Sequence, residues 1–132
     1  MIFVDTSVWI AAFRRRPSPE AERLSALLDR DEVALAAPVR IELLSGASKA
    51  DFPRIARALS ALPVFYPNDD TWPRIESWVE RAIRAGERFG FADLLIGVIA
   101  AERAGSIWSF DADFARMARI GLVRLYETSA RA

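Results

Sequence analysis

Short apolar runs punctuate the chain, and helical patterns fill the space between them. The first, Ile2-Phe3-Val4, runs straight into an acid, Asp5, and helix-type sequence follows at once. Apolar residues without alternation read as a strand buried on both faces. Comparable runs occur at Val33 to Ala36, Val64 to Tyr66, Ile107 to Phe110 and Leu122 to Tyr126. A short apolar helix is predicted from Val8 to about Phe13. The next starts at Ser18-Pro19-Glu20, a cap, a proline at the first helical position and an acid in the first turn, and runs to about Leu28. Pro38 opens a third helix through Leu44. Asp51 is placed to cap a fourth, with Ile55, Ala58, Leu59 and Leu62 as its stripe. Asp70 or Thr71 is placed to cap a long fifth helix, whose buried side reads as Trp72, Ile75, Trp78, Val79, Ala82 and Ile83. Ala92 to Ala104 is apolar almost all round and is therefore expected to be buried. Ala112 to Arg119 is the last helix. Strands alternating with helices predict an α/β chain, a three-layer α/β/α sandwich with a mainly parallel central sheet, as one domain over residues 1–132.

In such sheets, sites form outside the carboxyl ends of the strands. Asp5 and Asp111 fall at such ends. Asp93 opens the apolar helix and tops a stripe of small residues, Gly97, Ala100 and Ala104, that would let the helix pack closely on the sheet. Each acid has a plainer alternative. Asp5 could cap a helix, and Asp93 could favour a helix dipole. Glu42 falls on the polar side of its helix with Ser45 and Gly46, so exposure to solvent is its plainer reading. Asp111 and Asp113 bracket a helix start, where one could cap and the other face a site. Ser109 offers a hydroxyl that could orient a water or a carboxylate. Arg40 lies in the apolar arc of its helix and needs a partner or a ligand there.

Composition narrows the chemistry. The 132 residues contain no cysteine and no histidine, which excludes disulfides, thiol chemistry, a Ser-His-Asp triad and any imidazole ligand. Formal net charge is zero, with 18 basic and 18 acidic residues, so bulk charge gives no sign of a nucleic-acid binder. Lys49 is the single lysine. Four carboxylates at one sheet edge would repel one another unless a proton or a cation intervened. Oxygen-only ligands select hard ions such as Mg²⁺ or Mn²⁺, and a hard metal in an open carboxylate cup activates water and steadies charge on a phosphoryl group. Phosphodiester hydrolysis needs no histidine and follows as the expected chemistry. Val8 to Phe13 is far shorter than the roughly 20 residues of a membrane span. Arg14-Arg15-Arg16 follows that stretch rather than preceding it, the wrong order for a signal peptide, so a cytoplasmic protein with no membrane attachment is the default.

Four blocks together resemble the PIN-domain nucleases, and in particular the VapC-type toxins of toxin–antitoxin pairs. They are the opening Ile2-Phe3-Val4-Asp5-Thr6-Ser7, the helix Arg40-Ile41-Glu42-Leu43-Leu44-Ser45-Gly46, the helix start Ala92-Asp93-Leu94-Leu95-Ile96, and Ser109-Phe110-Asp111-Ala112-Asp113-Phe114. They stand in the family's order and span nearly the whole chain. The resemblance implies an Mg²⁺- or Mn²⁺-dependent endoribonuclease, a homodimer, and a cognate antitoxin whose tail blocks the site. It implies Asp5, Glu42, Asp93 and Asp111 as the acidic site, with Asp5 and Asp93 on the principal metal. Asp113 would be a possible fifth member, Ser109 and Thr6 polar support, and Arg14, Arg15, Arg16 and Arg40 candidate contacts for RNA phosphates. Three alternatives remain: a nuclease of DNA or of flap structures on a related fold, a PIN-fold binding module with little turnover, and a receiver-like Mg²⁺ signalling domain. The last wants paired acids after the first strand and a lysine near the last strands, and here Thr6 follows Asp5 and Lys49 lies on the wrong segment.

Overall fold

The computed structural model describes residues 1–14 and 17–127. Among these residues the chain forms β1 (Ile2–Val4), α1 (Thr6–Arg14), α2 (Pro19–Asp29), β2 (Val33–Ala36), α3 (Ala37–Ser45), α4 (Phe52–Ser60), β3 (Val64–Phe65), α5 (Thr71–Arg84), α6 (Phe91–Glu102), β4 (Ser106–Trp108), α7 (Ala112–Arg119) and β5 (Arg124–Leu125). The five strands make one sheet in the order β3-β2-β1-β4-β5, and every pairing is parallel. β1 is central, with Phe3 opposite Ala34 of β2 and Ile107 of β4. That position explains its composition: Ile2, Phe3 and Val4 are buried on both faces.

Parallel neighbours need crossovers, and crossovers are right-handed in nearly all proteins. The chain steps from β1 through β2 to β3 in one direction, then returns past β1 to β4 and β5 in the other. The rule therefore assigns α1–α4 to one face and α5–α7 to the opposite face. Packing agrees: α1 meets α2 and α3, α3 meets α4, and α6 meets both α5 and α7. This is the expected α/β/α sandwich with a parallel sheet. The reversal between β1 and β4 also makes a crevice at their carboxyl ends, the place where such folds hold ligands. α3 packs against α6 as well, so the helices carrying Glu42 and Asp93 are neighbours.

Several boundaries move for identifiable reasons. α1 starts at Thr6 because the Asp5 carbonyl accepts from Val8 N and Trp9 N, leaving no loop after β1. Ser18 caps α2 as expected, accepting from Ala21 N at 3.1 Å. Asp51 and Asp70 occupy cap positions but make no side-chain cap bond. Thr71 does not cap either: its buried hydroxyl donates to Glu102 at the end of α6. β4 stops at Trp108 because side chains then take over from the ladder. Ser7 Oγ accepts from Phe110 N, and Ser109 Oγ accepts from Asp111 N.

The buried face of α5 is narrower than its apolar pattern. Ile75, Ala82 and Thr71 are buried, while Trp72, Val79 and Ile83 are exposed, Ile83 by 48%. Only one side of this helix meets α6, so the second apolar stripe faces outward. The small-residue stripe of α6 is also shorter than expected. A Cβ on Gly97 would lie 3.0 Å from the Trp78 ring and 3.4 Å from Met117 Sδ, so close approach is to α5 and α7. Ala104 lies beyond α6, in a left-handed turn with φ 53°. Trp9 and Trp108 are core residues, and the Trp9 indole donates to the Val4 carbonyl.

Candidate active site

Asp5 emerges from the end of β1 and is 7% exposed. Its Oδ2 accepts from Ser109 Oγ at 2.7 Å and from Ser7 Oγ at 3.1 Å. The first bond crosses from β1 to the end of β4, pinning the carboxylate at the crevice between the two strands. Ser109 does this while accepting from Asp111 N at 2.9 Å, so one hydroxyl fixes both the carboxylate and the entry to α7.

Asp111 is the N-cap of α7, its Oδ1 accepting from Asp113 N at 2.9 Å. Capping does not remove it from the site. Asp93, in the first turn of α6, and Asp111 and Asp113 each offer a carboxylate oxygen within 4.8 Å of the others. The pair that bracket the helix start are therefore both members of one cluster.

The electrostatics follow from this crowding. Burial pushes the Asp93 carboxyl up to about 7, helped by a hydrogen bond with Asp113 and by the negative charges of Asp111, Asp113 and Asp5. Asp113 moves the other way, because Arg116 hydrogen-bonds it and holds it below the ordinary carboxylate range. A nearby carboxylate that keeps its proton and one that does not are two answers to the same repulsion. The donor set is all oxygen, and such a set suits a hard divalent cation, which would replace that proton.

Glu42 stands at the margin. It is exposed on α3, as its helical position predicts, and Thr6 Oγ1 donates to its Oε1 at 2.6 Å. Because Thr6 follows Asp5 directly, that bond ties Glu42 to the β1 end without placing it in the three-acid cluster. Arg14 is exposed at the end of α1 and Arg40 is half-buried on α3; neither forms an ion pair among the described residues. Arg15 and Arg16 lie outside the described residues.

Three contributors were not singled out from sequence. Ser7 holds Asp5 and Phe110, and its place two residues after Asp5 is a readable signal. Arg116 lies three residues after Asp113 on α7, ordinary spacing for a helical ion pair. Glu87, the second partner of Arg116, comes from the loop before α6 and leaves no local sequence signal.

Comparison with known proteins identifies the family and the fold. The PIN domain family model matches residues 2–120. The VapC ribonuclease Mb1587 of Mycobacterium bovis is 34% identical over 125 residues, covering 91% of this chain and 93% of that protein. The structure of VapBC2 from Rickettsia felis, bound to a promoter DNA fragment, superposes with a TM-score of 0.77 at 19% identity, covering 98% of this chain and all of the other (100%). A toxin–antitoxin complex from Klebsiella pneumoniae superposes with a TM-score of 0.76 at 20% identity, covering 97% of this chain and 100% of its match. A match over almost the entire sequence and a relative one third identical along nearly its full length have one consequence: the chain belongs to the PIN-domain family, among the VapC ribonucleases.

Proposed function

We propose that the chain is an Mg²⁺- or Mn²⁺-dependent endoribonuclease, the toxin of a toxin–antitoxin pair, acting on RNA in the cytoplasm. The observation that carries the metal-dependent chemistry is the convergence of Asp93, Asp111 and Asp113, with Asp5 fixed beside them at the strand ends. Asp5 and Asp93 are assigned the principal metal, with Asp111 and Glu42 completing the acidic site. When bound, a hard divalent ion supplies an activated water and neutralises charge on the phosphoryl group. The side chains divide the remaining tasks. Ser7 and Ser109 aim the Asp5 carboxylate, and Asp111 stays fixed as a cap. Asp93 loses its proton when positive charge arrives. Glu42, exposed at the margin and steadied by Thr6, is placed to meet substrate or its water. Arg40 is assigned to the RNA backbone.

The partners follow from the same reading. A shallow groove between α1, α3 and α4 is lined by Ile10, Phe13, Leu43, Ile55 and Glu42. An antitoxin segment lying there would run onto the acidic site and block it. The exposed stripe of α5 supports a homodimer. No described helix is long and apolar enough to cross a membrane.

Asp5→Asn and Asp93→Asn test the assignment in a purified RNA-cleavage assay with Mg²⁺ or Mn²⁺. Each is expected to lower cleavage by about 100-fold or more, roughly 2.7 kcal/mol of barrier, while the fold survives. Cleavage at the parent rate by either variant, or parent cleavage undiminished by EDTA, would defeat it.

A further inference from the structure

Arg116 is the one cation that reaches into the acidic cluster among the described residues, and both terminal nitrogens and one face of its head group are engaged. Nη2 contacts Asp113 Oδ1 at 2.5 Å, and Nη1 contacts Glu87. The guanidinium lies over the Phe89 ring, 4.8 Å from its centroid. Glu87 and Phe89 belong to the segment between α5 and α6, and Asp113 to the first turn of α7. The side chain is only 29% exposed. A planar fork held by two carboxylates and stacked on an aromatic face is immobilised and cannot swing out to a phosphate.

We propose that Arg116 is a positioning residue for the acidic site: a fixed counter-charge that clamps Asp113 to the Glu87–Phe89 segment and leaves Asp93 and Asp111, with Asp5, to receive the divalent ion. This rests on the metal-dependent reading above. A loose Asp113 could turn both oxygens toward the cation, drawing it more strongly but away from the geometry set by Asp5 and Asp93. A guanidinium already seated on Asp113 prevents that turn. The clamp also couples the site to the Glu87–Phe89 segment, so its geometry depends on the entry to α6 as well as on α7.

The test compares the full chain with Arg116→Gln and Arg116→Lys. Mn²⁺ binding without RNA is read from the electron-spin-resonance signal of free Mn²⁺, and RNA cleavage is measured at saturating Mn²⁺. Arg116→Gln is expected to bind Mn²⁺ about threefold more tightly while kcat falls about tenfold, with KM for RNA within about twofold of the parent. Arg116→Lys, which keeps the charge, is expected to recover most of both effects. A raised KM with kcat unchanged would make Arg116 an RNA contact and overturn the proposal. Lowered thermal stability in both variants, with Mn²⁺ affinity and kcat unmoved, would make it a structural brace and overturn it equally. Failure of the parent chain itself to bind Mn²⁺ or cleave RNA would instead remove the functional reading beneath it.

Discussion

Asp93 keeps its proton to about 7 because it is partly buried among other acids. A carboxyl raised in this way binds more protons folded than unfolded between about pH 4 and 7. The stability it contributes is therefore intact below about pH 4 and is lost as pH climbs through about 7. Replacement by Asn removes the repelled charge, so metal-free Asp93→Asn should gain about 1 kcal/mol at pH 8. That is well under the full shift, because the group is partly in water. Chemical denaturation at pH 8 and at pH 4 checks this, with no gain expected at pH 4. The same proton must leave before a cation binds, so Mn²⁺ affinity should fall steeply below about pH 7. An affinity flat from pH 5 to pH 8 would contradict the assignment of Asp93. Ser109 makes a second case at this scale. Ser109→Ala deletes the 2.7 Å bond to Asp5 and should lower cleavage roughly 10- to 100-fold, as loss of a ligand's outer partner commonly does. Asp5, Ser109 and Asp111 could be read from sequence because Asp5 and Ser109 directly follow apolar strands and Asp111 comes two residues after Ser109, and a parallel sheet carries such residues to its carboxyl edge. Arg116 with Glu87 could not, since the two are 29 residues apart and meet only once α6 and α7 are packed.

At the scale of elements, short apolar strands and their helical connections were legible, and the parallel sheet followed from their alternation. What sequence misjudged was how much of each helix the rest of the chain covers. α5 carries two apolar stripes, and periodicity cannot say which one meets α6; the answer lies in Thr71 reaching Glu102 and in Ala82 and Ile75 facing inward. Caps at Asp51 and Asp70 failed for a related reason. Propensity describes what a residue can do, whereas neighbouring polar atoms decide whether it does. At Asp51, for instance, the side-chain Oδ1 lies 3.5 Å from Arg54 Nη2. Gly105 gives the sharpest prediction here. A Cβ at that position would sit 2.6 and 2.8 Å from the Phe3 ring, in the middle of the central strand. Gly105→Ala should destabilise the fold by about 1–3 kcal/mol, as overpacking of a tight core does. Gly90→Ala, where a Cβ meets nothing within 4 Å, serves as the control and should be close to neutral in the same urea titration.

The whole molecule is organised by the reversal of strand order at β1 and β4. It opens a crevice and brings chain segments more than a hundred residues apart, Asp5 and Ser109 among them, into contact. It also leaves α5 as an outer helix, with Trp72 stacked on Phe91 at 6.3 Å and Val79 and Ile83 continuing the stripe. Phe91 is 62% exposed, a large apolar surface for a lone subunit. Sedimentation equilibrium should find a dimer that Ile83→Glu weakens by at least about tenfold, since it buries a charge in that face. An unchanged dimer would move the interface elsewhere. The central claim, that distant carboxylates gather around one divalent ion at the strand reversal, is tested most directly by anomalous diffraction from crystals soaked in Mn²⁺. The account predicts an anomalous peak within ligand distance of Asp93 and at least one of Asp5 and Asp111. A peak at another place on the surface, in a protein that still cleaves RNA with Mn²⁺, would contradict it.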